Sequence, residues 1–319
     1  MAAAMKQARI IIAAALAATA LVPAALSAQG RAPYTIAESG RSFSHLQDAV
    51  NAIGGGSGTI RIAPGRYADC AVQTEGDVSF VAEIPGQSSL EGEACEDKAA
   101  LVLRGRSTHV EGLVFAGEHS SSGNGAGIRA EHGRISVSQS WFRDSQQGIL
   151  SADDPEGTIT VDKSTFTRLG TCEFSAGCAH SIYVNGFGAL TVTRSRFEIG
   201  RGGHYLKSRA ARVAVLGNSF DDSAGKWTNY MIDLPAGATG RIANNLFVQG
   251  REKENYSAFI AVGAESRTNR SAGLTIEGND ARLVPGLDRE TAWVADWTGE
   301  ALAIGANTLG PGLKRFERR

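Results

Sequence analysis

Residues 135–142 read ISVSQSWF. The pattern returns as ITVDKSTF (159–166), LTVTRSRF (190–197), VAVLGNSF (213–220) and RIANNLF (241–247). The first three runs alternate apolar and polar residues, and every run ends in Ser or Asn, one variable residue, and Phe. LTIEGND (274–280) and AIGANTL (303–309) keep the Asn and drop the Phe. The markers Ser140, Ser164, Ser195, Asn218, Asn245, Asn279 and Asn307 stand 24, 31, 23, 27, 34 and 28 residues apart. A period of two within these runs predicts strands. Recurrence at these longer intervals predicts a solenoid whose coils stack on one another.

A second motif runs out of phase: GIRAE, GILSA, SIYVN, YLKSR, MIDLP, FIAVG and WVADW. Its equivalent positions are Ile128, Ile149, Ile182, Leu206, Ile232, Ile260 and Val294. Two strand motifs per period, without tight two-residue hairpins, predict an all-β fold, a single-stranded right-handed parallel β-helix, over a closed sandwich. In such a coil the repeated Phe forms an inward column. Asn218, Asn245, Asn279 and Asn307 then form an internal ladder, hydrogen-bonded from coil to coil.

The ends follow from this frame. Ser44 and Gln47 have capping-box spacing. Phe43, Leu46, Ala49, Val50 and Ile53 mark one face of a short capping helix near 43–53. Coils then run from about 59 to 310, with two Trp in a weaker repeat near 281–301, and LKRFERR reads as a solvated basic tail. Residues 1–28 carry Lys6 and Arg9, an apolar run from Ile10 to about Leu21, Pro23 and small residues, the pattern of a secretory signal peptide. The domain is then 29–319, exported to the periplasm or secreted. No later segment is apolar for long enough to span a membrane.

The composition agrees. Charged residues are 20% and aromatics 7%, with 39 Gly and 8 Pro, which excludes a disordered chain. A net charge of −1 provides no general basic field for nucleic acid. Cys70, Cys95, Cys172 and Cys178 suggest two disulfides in an exported chain. Cys70–Cys95 and Cys172–Cys178 would close local loops, although spacing leaves all three connectivities open.

Stacked coils turn the chain into a map. If Ile182, Leu206 and Ile232 point inward, Tyr183, Lys207 and Asp233 form an outward column between Arg129, Leu150 and Ala261. Ser181, Tyr205 and Met231 form a second column, and Asn185, Arg209 and Pro235 a third. His180 and His204 occupy matching places one coil apart. Titratable and aromatic groups concentrate here as nowhere else in the chain. Trp227 and Tyr230 flank the next coil and either line the groove or pack a turn. β-Elimination at a uronic acid needs a cation on the carboxylate, a base and an acid. Arg209 suits the carboxylate. Lys207 suits the base if its neighbours lower its pKa. Tyr183, His204 and His180 complete the catalytic candidates. Tyr205, Asn185, Asp233, Tyr230 and Trp227 are the substrate-binding candidates.

YTIAESGRSFSHLQDAVNAIGGGSGTIRIAPGRY (34–67) resembles the start of pectin-lyase-like β-helix proteins, with their IQDAV-type helix, strand and PG-Y turn. That resemblance covers about 35 residues and implies fold more than chemistry. Lys-x-Arg in GHYLKSRA (203–210) is similar, in residue type and face, to the pair used by several β-helix polysaccharide lyases. The resemblance implies a lyase acting on an acidic polysaccharide, and the chain is expected to be a monomer. Calcium, which those lyases often use, would have Glu131, Asp153 and Asp154 as nearest ligands, though Asp153-Asp154 reads better as a turn. The QDTL and DFIFG motifs of pectin methylesterases and the DPHD motif of uronan epimerases are absent. A glycoside hydrolase or another kind of epimerase on this fold, and a non-catalytic polysaccharide-binding or envelope protein, remain as alternatives.

Overall fold

A computed structural model describes residues 32–319 apart from 174–176. The signal-peptide reading of residues 1–28 lies outside the described residues. Each marker motif forms two strands joined at a corner, such as Arg134–Ser138 and Trp141–Arg143. The residue before the marker turns the chain with left-handed backbone: Gln139 (φ 49°), Lys163 (48°), Arg194 (49°), Gly217 (66°), Asn244 (57°) and Gly278 (66°). Lys, Arg and Gln rarely adopt this conformation, so their side chains give no sign of a corner. With the second motif, a regular coil has three strands, one more than the motif count suggests.

Stacking these strands makes a β-solenoid with three long sheets. The first has twelve strands, and the second and third have ten each. Pairing is parallel throughout the coils, consistent with right-handed winding. The first sheet opens differently: Tyr34–Ile36 pairs antiparallel with both Ser42–Phe43 and Ser57–Ile62. The only α-helix among the described residues, Leu46–Ile53, buries Leu46, Ala49 and Val50 over the first coil. Ser44 does not cap it. His45 occupies the N-cap position without a side-chain bond, and Asp69 Oδ2 accepts the Leu46 N–H at 2.9 Å. The cap comes from the coil beneath.

The second sheet carries the Phe column. Phe115, Phe142, Phe166, Phe197, Phe220 and Phe247 stack at 4.7–4.8 Å with planes within 8°. That spacing is the distance between strands. The Asn ladder lies at the adjoining corner. Asn245 Oδ1 accepts the Asn218 N–H at 2.8 Å, and Asn279 Oδ1 accepts the Asn245 N–H at 3.0 Å. Each Asn also donates to a neighbouring carbonyl, as Asn245 does to Val215 at 2.9 Å. Ser195 and Ser164 continue the ladder with their hydroxyls.

At the far end, Trp293 is fully buried within the strand Thr291–Asp296. The presumed tail is the last strand of the third sheet, Leu313–Arg318, paired with it. Cys70–Cys95 and Cys172–Cys178 are both bonded. No helix among the described residues is long and apolar enough to cross a membrane.

Candidate functional site

Three consecutive strands of the third sheet, Ile182–Val184, Leu206–Ser208 and Ile232–Leu234, place the candidate groups. Tyr183 pairs in register with Lys207, and Lys207 with Asp233. Their inward neighbours Ile182, Leu206 and Ile232 are fully buried, so alternation turns the charged column outward. Just upstream, the His180 and His204 rings lie 4.9 Å apart. With Lys207, Asn229 and Glu254 they line a cleft of about 280 Å³.

His180 Nδ1 accepts the backbone N–H of His204 at 3.0 Å and lies 3.3 Å from His204 Nδ1. A nitrogen that is already an acceptor makes its neighbour the donor, which puts the His204 proton on Nδ1. The His204 Nε2 lone pair then faces Asp233 Oδ2 at 3.5 Å, too long for a hydrogen bond. Lys207 Nζ lies 3.4 Å from the same carboxylate oxygen and donates to Glu265 Oε1 at 2.6 Å. Arg209 binds the other Glu265 oxygen through Nη2 and donates from Nε to the Tyr183 hydroxyl at 3.1 Å. The Tyr183 ring stands edge-on to His180, and Lys207 Nζ lies 5.6 Å from its centroid.

Burial and charge set the protonation states. Burial, aided by the Lys207 charge, lowers His180 to about 3. Burial and the neighbouring His180 hold His204 well below its ordinary value. Both rings are therefore neutral at pH 7. Burial raises Asp233 to about 6 against the opposing pull of Lys207. Asp233 Oδ1 is buried with no hydrogen-bond partner. Burial alone would lower Lys207, but Asp233 and Glu265 outweigh it and the pKa is raised. Lys207 is thus held as a cation, and the condition for its acting as base is not met. Arg209, paired with Tyr183 and Glu265, is also raised.

The other candidates disperse. Tyr205 points into the core: its hydroxyl donates to Asp222 Oδ1 at 2.8 Å and accepts the Gly200 N–H at 3.0 Å. The strand begins only at Leu206, so alternation does not extend to Tyr205, and Ser181 and Met231 are buried with it. Asn185 holds a turn through two 2.7 Å bonds to Ser151. Tyr230 stays at the site's edge, 5.7 Å from the His204 ring, over a patch of alanines. Trp227 lies in a separate cleft.

Glu265 was missed by sequence reasoning. It arrives from a loop 58 residues beyond Lys207, outside any repeat. The calcium candidates do not fit a cation site. Glu131 is bound by Lys98 and Arg104. Asp153 accepts the Gly186 N–H, and Asp154 accepts the Gly133 N–H beside His132. Among the described residues no cluster of three His, Cys, Asp or Glu could hold a metal.

No protein-family model and no curated protein matches the sequence. Among solved structures, the chain is similar to ORF18 of Geobacillus virus E2, at 12% identity and a TM-score of 0.52. The match covers 85% of this chain and 56% of that protein. It speaks for the fold alone.

Proposed function

We propose that this cleft is the catalytic centre of an exported polysaccharide lyase that cleaves a uronate-containing glycan by β-elimination. One observation carries the reading: a neutral imidazole and a fixed cation face the same buried carboxylate, His204 and Lys207 against Asp233. His204 Nε2 is the unprotonated ring nitrogen and serves as the base once the ring turns its lone pair from Asp233 toward the substrate. Once protonated, it stands beside the Asp233 carboxylate, which stabilises the imidazolium, while His180 fixes its tautomer. Lys207 and Arg209 neutralise the uronate carboxylate, which acidifies the C5 proton. The Glu265 carboxylate already binds both cations, and its side chain is 45% exposed, so a substrate carboxylate can take its place. Tyr183 protonates the leaving oxygen. The C5 proton goes to His204, its electron pair forms the C4–C5 double bond, and the C4–O bond breaks. The two disulfides are compatible with an extracellular or periplasmic protein.

A second reading draws on Glu265. Asp233, raised to about 6, and Glu265, lowered by Lys207 and Arg209 despite its partial burial, are carboxyl groups with pKa values pushed apart, as a glycoside hydrolase requires. Burial of Asp233 behind Lys207 argues against it. Incubation with a panel of uronate polymers separates the readings. A lyase yields unsaturated products that absorb in the ultraviolet. Reducing ends without that absorbance would replace the lyase with a hydrolase. Retention of a polymer with neither product would leave a non-catalytic binding protein.

A further inference from the structure

We propose that a second cleft, beside the first, is a binding subsite for another acidic sugar of the same polymer, with Trp227 as its platform and Arg201 as its carboxylate partner. The inference rests on the glycan reading above and adds a place for the neighbouring unit.

The cleft measures about 440 Å³, and its walls include His119, Asp144, Arg168, Cys172, Arg201 and Trp227. Trp227 is 67% exposed and has left-handed backbone, φ 56°. That conformation is unfavourable for a bulky residue, and an exposed indole gains nothing from packing. The surroundings enforce it. The Lys226 N–H bonds Gly200 O at 2.8 Å, and the buried Thr228 hydroxyl bonds Asp222 at 2.7 Å. A strained backbone held rigidly while presenting an aromatic face to solvent is suited to stacking on a sugar ring.

The two arginines differ. Arg168 is held by Asp144 through bonds of 2.7 and 2.8 Å. Arg201 is 54% exposed, and among the described residues its ion-pair partner is Asp144 at 3.8 Å, beyond hydrogen-bond range. Its guanidinium is open to a second carboxylate, which it can bind with two parallel bonds.

The two clefts are neighbours along the chain. Cys172 lines one and its bonded partner Cys178 the other. Arg201 and His204 are three residues apart, and Trp227 and Asn229 two, so the Cα atoms within each pair lie roughly 10 Å apart at most. A polymer lying across the corner that leads into the third sheet meets both. This geometry favours cutting within a chain and disfavours acting on isolated sugars.

Calorimetric titration of a uronate disaccharide and hexasaccharide into wild-type protein, Trp227→Ala, Arg201→Ala and Trp227→Tyr tests the subsite. Hexasaccharide affinity should fall about tenfold or more in both alanine variants, an effect of the size of one lost stacking or ionic contact. Disaccharide affinity should stay within about twofold, and Trp227→Tyr should retain most hexasaccharide binding. Hexasaccharide binding by wild type with no change in either alanine variant overturns the subsite, whatever the protein catalyses. Absence of hexasaccharide binding by wild type also overturns it. Binding that weakens as expected in a protein that forms no unsaturated product supports the subsite and rejects the lyase.

Discussion

The second and third sheets have ten strands each and the same parallel stacking, yet their columns behave differently. On the second sheet one residue type, Phe, recurs through six coils. On the third sheet the outward column changes identity at every coil: Leu150, Tyr183, Lys207, Asp233, Ala261. Repetition serves packing, because each coil offers the next the same surface. The changing column buries an aspartate and a lysine, with two buried histidines just upstream, which costs desolvation that packing does not require. Repeated packing is concentrated in the first column, and buried ionisable groups in and beside the second.

Four substitutions would break or sharpen that contrast. His204→Gln should lower turnover of a uronate polymer by about a hundredfold or more, the usual contribution of a positioned base, while stability changes by less than about 1 kcal/mol. Parallel loss of stability and activity would erase the distinction between the sheets. Phe166→Ala, in the middle of the ring stack, should cost about 4 kcal/mol in chemical denaturation and leave glycan affinity unchanged at temperatures where the variant is folded. Asn245→Ala removes the acceptor for the Asn218 N–H and a donor to Val215, and should cost about 2–3 kcal/mol for the stranded partners.

The smallest effect concerns pH. The folded pKa of Asp233, about 6, is raised above the ordinary 3.8. Its contribution to stability is therefore favourable when protonated and is lost as pH rises through about 6. Relative to Asp233→Asn, wild type should lose about 1 kcal/mol between pH 5 and pH 7. A difference in stability that does not change with pH would show that Asp233 is ionised at no cost.

Much of the fold was legible because its causes are periodic. Ile182, Leu206 and Ile232 set the register that brings Tyr183, Lys207 and Asp233 together, and the Asn series announced its ladder. The third strand of each coil was hidden because Lys163 and Arg194 turn the chain without a turn-forming side chain. The site was only partly legible. His180, His204, Lys207 and Asp233 came through because they ride on the repeat. Tyr205 was misplaced because the strand starts one residue after it. Glu265 was invisible because a loop residue has no period, and without it the charge state of Lys207 cannot be judged.

The central claim is that burial beside the third sheet keeps the His180 and His204 imidazoles neutral. Nitrogen-15 NMR of His180 and His204 against pH tests it most directly. Both rings should be neutral at pH 7 and titrate below the ordinary histidine value of about 6.5, His180 only near pH 3. Imidazolium signals for both rings at pH 7, or ordinary titration near 6.5, would contradict the account, since burial would then not be holding the rings neutral.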